Sequence, residues 1–257
     1  VQGTGAYLGG IPDDLNILLA QAFTNGARIH SDSWGYNDYG GYSWASRCLD
    51  MFVWSNKTML VLVSAGNSGI DSDGNGVVDL SSVGSPGTSK NCLTLGAAES
   101  FRTTGGYSAR VWSSGSWASK FTAEPVKSDL ISSPDSPQGI AAFSSRGPCS
   151  DGRVKPDLVA PGTDILSSRS RVAPNAGWGA FAANTNYMFY GGTSMATPLT
   201  AGAAALTRQW LATVRGMPDP SAALVKALLI NGARNMAPGQ YGTGGAQEIP
   251  FSRPNMV

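Results

Sequence analysis

The sequence predicts an α/β domain built around a mostly parallel β-sheet. Three observations point there. Segments with apolar residues at helical spacing alternate with short apolar runs. One run, Met59-Leu60-Val61-Leu62-Val63, is continuously apolar, as strands buried on both faces of a parallel sheet are. Two helical patterns then close the chain. Such alternation places helices on the faces of a sheet.

Taken in order, Leu15, Leu18, Leu19, Ala22 and Phe23 follow Pro12-Asp13-Asp14 at helical spacing, and Gly26 ends that helix. A short strand is expected over 28–31. A second helix follows over about 43–56, then the strand at 59–63. Leu93-Thr94-Leu95 and Leu158-Val159-Ala160 read as further short strands. The closing helices span about 194–214 and 221–232. In the first of these, Leu199, Ala203, Leu206 and Trp210 form one stripe, and Pro198 is assigned to the first turn, where a missing N–H costs nothing.

The 257 residues carry 42% hydrophobic and only 14% charged side chains, with a net charge of +1. That balance gives no support to nucleic-acid or membrane-surface binding. No window reaches 18 apolar residues, so no bilayer span is expected. The abundance of small uncharged residues reads as an extracellular, secreted protein. Cys48, Cys92 and Cys149 form no metal-ligand spacing. Three buried free thiols are expected, with one disulfide and one leftover thiol as the alternative.

The chemistry concentrates at Gly191-Gly192-Thr193-Ser194-Met195-Ala196-Thr197-Pro198. Ser194 falls at a helix N-terminus, where free N–H groups and the helix dipole favour a developing oxyanion. An isolated Gly-Thr-Ser would read equally well as a helix cap. The whole string is more specific. It resembles the nucleophile signature of the subtilases, the subtilisin-like serine peptidases. Ser64-Ala65-Gly66-Asn67-Ser68-Gly69 resembles the oxyanion-hole segment of that family. Phe143–Pro148 and Lys155–Gly162 resemble its framework, and Ser33-Trp34-Gly35 its cleft-lining strand end. Ala27–His30 and Ser85–Thr88 are most similar to bacterial alkaline subtilases that carry an extra C-terminal β-barrel.

The resemblance implies a three-layer α/β/α fold and a serine endopeptidase acting on peptide or protein substrates. It implies Ser194 as nucleophile and Asn67 as oxyanion donor. Ser33, Trp34, Gly35, Ala65, Gly66, Gly192 and Thr193 would bind substrate, with an extended peptide pairing along the strand ends. Met195, next to the nucleophile, would crowd the site if oxidised.

The family's triad also needs an Asp in Asp-Ser/Thr-Gly and a His in His-Gly-Thr. Neither motif occurs, and His30 is the single histidine. Its position matches a strand, not the family's histidine helix, so it reads as a core or supporting residue. The chain opens at Val1 and ends at Asn255-Met256-Val257. All 257 residues are therefore read as a partial peptidase domain lacking the N-terminal strands and the segment with Asp and His. Such a chain is expected to be inactive alone. Its exposed strand 28–31 should self-associate or pair with the missing N-terminal segment.

Asp71-Ser72-Asp73-Gly74-Asn75-Gly76-Val77-Val78-Asp79 offers Asp71, Asp73, Asn75, the Val77 carbonyl and Asp79 at calcium-loop spacing, with Gly76 at the turn. Ser82 stands where the bidentate Glu would be. A structural calcium is expected, and a solvated turn is the plain alternative. A non-catalytic subtilase-like module is the competing reading for the whole chain. An α/β-hydrolase is excluded because Ser194 lacks a Gly-x-Ser-x-Gly elbow.

Overall fold

The computed structural model describes residues 9–132, 139–172 and 177–236. Val1 and Asn255–Val257, on which the reading of a partial domain partly rests, lie outside them.

Helix α1 (Leu15–Thr24) starts at Asp14, whose carboxylate accepts the Asn16 N–H at 3.0 Å, an N-cap bond that replaces a missing helical acceptor. Gly26 takes φ +92° just beyond its end, where a Cβ would be strained. Strand β1 (Ile29–Asp32) leads to α2 (Trp44–Ser55), then β2 (Leu60–Ser64) and β3 (Leu93–Ala98). Every residue of β2 and β3 is buried. Strand β4 (Leu158–Pro161) completes a four-stranded parallel sheet in the order β1-β2-β3-β4.

Two long helices follow: α3 (Thr193–Thr213) and α4 (Ala222–Gly232), the latter capped by Ser221 Oγ on Leu224 N–H. Helices α1 and α2 pack together on one side, and α3 and α4 on the other. The layers are α/β/α around a mostly parallel sheet. The core joins Leu19, Leu49, Phe52, Met59–Val63, Leu93 and Leu95 to Ala204, Leu211 and Val225.

Two features were not foreseen. A small antiparallel sheet, β5-β7-β6, forms between Ile165–Ser168, Tyr187–Tyr190 and Gly179–Ala180. The long β3–β4 connection folds over an aromatic cluster that includes Trp112, Phe121, Phe143 and Trp178.

Helix α3 corrects one expectation. Its buried face is Ala196, Thr197, Thr200, Ala204 and Leu211. The stripe of Leu199, Ala203, Leu206 and Trp210 faces outward, with Leu199 47%, Leu206 68% and Trp210 46% exposed. The small residues win the sheet face because they allow the helix to approach closely. Pro198 lies inside the helix rather than in its first turn. The consequence appears at the site below.

All three cysteines are free and buried. At the N-terminal ends of β3 and β4 lies a buried ionic cluster. Lys155 Nζ reaches Asp157 Oδ2 at 2.7 Å and Thr94 Oγ1 at 2.8 Å. Lys226 Nζ reaches Asp157 Oδ1 at 3.1 Å and the Cys92 carbonyl at 2.7 Å. Burial by itself pushes the Asp157 carboxyl up, but the two ammoniums outweigh it and hold the group below the ordinary carboxylate range. Breaking such a pair leaves uncompensated buried charge. Asp157→Asn should lower stability by about 3–5 kcal/mol, seen as a fall in the urea midpoint; a loss below about 1 kcal/mol would show that water already screens this cluster.

Candidate active site

Parallel α/β sheets present their ligand crevice at the carboxyl ends of the strands. There, a cleft of about 240 Å³ is lined by Ser33–Asn37, Ser64–Ser68, Gly84 and Ser194. The segments following β1 and β2 form its walls, and the first turn of α3 closes one side.

Helix α3 fixes Ser194. Gly192 is its N-cap at φ +150°, a conformation suited to glycine. Three N–H groups then matter. That of Thr193 donates to Asn67 Oδ1 at 2.9 Å, and that of Met195 to the Gly192 carbonyl at 3.0 Å. Between them, the Ser194 N–H is left for a ligand at the positive end of the helix dipole.

Asn67 is oriented by the same turn. Its Oδ1 accepts from both the Thr193 N–H and the Thr193 hydroxyl, the latter at 3.0 Å. An N–H can only meet the amide oxygen, so the orientation of the amide is determined. Its Nδ2 is thereby free to donate.

The sequence reading did not foresee the contact between Ser33 and Ser194. Pro198 has no N–H, so the Ser194 carbonyl, four residues earlier, loses its helical partner. The Ser33 hydroxyl donates to that carbonyl at 3.0 Å, while Ser194 Oγ donates to the Ser33 carbonyl at 3.3 Å. This reciprocal pair ties the end of β1 to the start of α3. The signal was present in the sequence as a proline four residues after the serine.

Trp34 lines the cleft, packs edge-on to Tyr36 at 6.2 Å and donates from Nε1 to Asp32 Oδ1 at 3.2 Å. Tyr36, Asn37, Ser68 and Gly84 also line it, and sequence reasoning had not singled them out. Gly84 cannot be enlarged, since a Cβ there would lie 2.1 Å from the Tyr36 carbonyl. The Ala65 and Gly66 carbonyls already accept from Gly84 and Ser145, each at 2.9 Å.

His30 is not brought to Ser194. Its Nδ1 stands 3.2 Å from Asp32 Oδ1 but off the line of an aligned hydrogen bond, making it an ion pair when protonated. Asp32 raises the imidazole pKa above its ordinary value, against the opposing effect of burial. Ser194 Oγ thus has a carbonyl acceptor beside it, but among the described residues no imidazole.

In the acidic loop, carboxylate oxygens of Asp71, Asp73 and Asp79 lie within 4.8 Å of one another. Asp71 is buried, and its two oxygens accept the Asn75 and Gly76 N–H groups, each at 3.0 Å. Asn75 Oδ1 accepts the Val77 N–H at 2.8 Å. Gly76 sits at φ +83° against the Glu124 carbonyl, where no side chain fits. Ser82 turns away and accepts from the Arg146 N–H at 3.0 Å.

Comparison with known proteins agrees with this geometry. The chain is 29% identical to the serine protease/ABC transporter B family protein tagD of Dictyostelium discoideum, covering 87% of this chain and 15% of that protein. It is 34% identical to the serine protease AprX of Bacillus subtilis, covering 72% of this chain and 33% of the relative. The chain thus spans a third or less of the length of these curated relatives. Among solved structures, the patellamide maturation protease PatA superposes with a TM-score of 0.52 at 23% identity, over 87% of this chain and 58% of that one. The prenylagaramide maturation protease PagA gives 0.51 at 21%, over 86% and 57%; at these identities the likeness concerns the fold. The pattern of the subtilase family matches residues 13–244, and with the serine-bearing helix, the oriented asparagine and the parallel sheet in place, this chain belongs to the subtilase family.

Proposed function

We propose that the chain carries the nucleophile and oxyanion half of a subtilisin-type serine endopeptidase. The observation that carries this reading is the single turn that both frees the Ser194 N–H and orients Asn67. In the proposed reaction, Ser194 Oγ attacks the scissile carbonyl. The Ser194 N–H and Asn67 Nδ2 receive the negative charge that develops on its oxygen. Removing a donor of this kind typically costs about 10²–10³ in rate. Ser33–Gly35 pairs with the substrate backbone, while Ala65 and Gly66 shape the side-chain pocket. Gly192 and Thr193 complete its rim.

Proton transfer needs a base, and without one Ser194 stays a hydroxyl. The proposed active unit therefore includes a companion segment supplying Asp and His. The side of β1 that has no neighbour among the described residues supports this. An open strand edge and the exposed apolar residues of α3 would both favour self-association. Secretion is proposed from the low charge content. A place among bacterial alkaline subtilases with a C-terminal β-barrel is proposed from Ala27–His30 and Ser85–Thr88 alone.

Labelling with a fluorophosphonate probe tests the reading. The chain alone should not react stoichiometrically within hours. Adding a polypeptide with the family's Asp-Ser/Thr-Gly and His-Gly-Thr motifs should confer labelling at Ser194, slowed about 10²–10³-fold by Asn67→Ala. Rapid labelling of the chain alone would make His30 the base. Failure after demonstrated assembly with the companion would favour a non-catalytic binding module.

A structural calcium is proposed at Asp71, Asp73 and Asp79, with Asn75 Oδ1 and the Val77 carbonyl completing the shell. The close approach of three carboxylates supports it, since a divalent cation relieves their repulsion. An ion there would stiffen the segment that follows Asn67. At calcium 100 times its Kd, stability should rise by about 2.7 kcal/mol, or roughly 5–10 °C in Tm for a domain of this size. Asp71→Asn should abolish the gain, and an unchanged Tm in the parent chain would remove calcium from the reading.

A further inference from the structure

We propose that a second cavity, at the opposite end of the sheet from Ser194, binds an anionic amphipath: a carboxylate on an apolar tail. The cavity measures about 580 Å³ and lies between the C-terminal end of α2, the residues entering β2 and β3, and the first turns of α4. That volume falls within the roughly 300–1,000 Å³ range of small-molecule sites.

The walls are apolar. Val53, Trp54, Ala227 and Ile230 supply them. Trp54 is 71% exposed, a large aromatic left uncovered at the mouth. The polar lining is cationic: Lys57, Lys90 and Lys226 all contribute, in a chain whose net charge is only +1. Lys226 is paired with Asp157, while the ion pairs of the described residues include neither Lys57 nor Lys90. Nearby Asp50 accepts from the Lys90 and Asn91 backbone N–H groups at 3.0 and 2.7 Å and from the Tyr42 hydroxyl at 2.8 Å rather than from an ammonium. Asp157 is shared between Lys155 and Lys226. Lys57 and Lys90 instead lie over the Trp54 and Tyr42 rings at 5.2 and 5.1 Å, contacts that leave the ammoniums accessible to an anion.

Two further donors converge there. Lys226 engages two acceptors, Asp157 Oδ1 and the Cys92 carbonyl, while an ammonium has three N–H groups. In the first turn of α4, the Ala222, Leu224 and Val225 N–H groups are satisfied by the Lys57 carbonyl, Ser221 Oγ and the Ser221 carbonyl. The Ala223 N–H remains, at the positive end of an eleven-residue helix. Apolar walls with cationic donors at one side select a ligand with a charged head and a hydrocarbon body, over a bare inorganic anion or a polyphosphate.

Isothermal titration of the chain with decanoate, below its micellar concentration, tests this. Binding should saturate at one site per chain. Decyltrimethylammonium, with the same tail and opposite charge, should bind at least tenfold more weakly, and acetate should give no saturable heat. The surface double variant Lys57→Glu/Lys90→Glu and the cavity-filling Ala227→Leu should each weaken decanoate at least tenfold, with native folding checked by circular dichroism. Equal affinity for the two amphipaths overturns the proposal. So does undiminished binding in both variants, the outcome if the tail adsorbs to the α3 stripe instead, and so does the absence of saturable binding.

Discussion

Helix α3 is the element on which the arrangement depends, because it packs against all four strands of the parallel sheet. Its buried face consists largely of alanine and threonine, which lets the helix axis lie close to the strands. That close approach brings the first turn down to the level of the β1 and β2 ends. Only there can Ser33 reach the carbonyl that Pro198 leaves unpaired, and only there can Thr193 reach Asn67 across the cleft. A helix with larger residues on the same face would stand off the sheet, and both links would open. The reactive turn is thus positioned by what the rest of the helix lacks in side-chain volume.

The other end of the sheet is organised by charge. Lys155, Asp157 and Lys226 bind the entries of β3 and β4 to α4 in a largely buried site. Coulomb attraction there is strong because little solvent screens it, and each partner exists to neutralise the next. The two ends therefore use different physics: neutral hydrogen bonds between backbone and short polar side chains at the cleft, and buried ion pairs at the base.

Much of the fold was legible from sequence. The predicted helices over 43–56, 194–214 and 221–232 differ from the observed α2, α3 and α4 by about one residue at either end. The run at 59–63 marked a strand buried along its whole length, as expected where a strand covered on both faces is apolar without alternation. The antiparallel β5–β7 sheet was not legible: β6 has two residues, and Ser, Asn and Gly fill the surrounding segment. Its pairing is set by contact, not by propensity. The outward direction of the α3 stripe was not legible for a related reason. Periodicity reports that a helix has an apolar face, while the partner of that face depends on what else packs nearby. Ser194 and Asn67 were legible because their motifs encode backbone geometry directly, whereas the bond between Ser33 and Ser194 needed the third dimension.

The incomplete chemistry and the exposed surface have one origin in the topology. Everything that stabilises an oxyanion comes from the C-terminal ends of β1 and β2 and from α3, which are mutually braced. A proton-transfer group would have to approach Ser194 Oγ from the side not occupied by Asn67 and Ser33. On one side of β1 the sheet has no neighbour among the described residues. His30, on β1 itself, is drawn to Asp32 along its own strand rather than across to the serine. Period-two alternation puts His30, Asp32 and Trp34 on one face and Ser33, which contacts Ser194, on the other. In the proposed reaction the base comes from a companion segment, and a segment pairing with β1 would also cover the strand side that has no neighbour among the described residues.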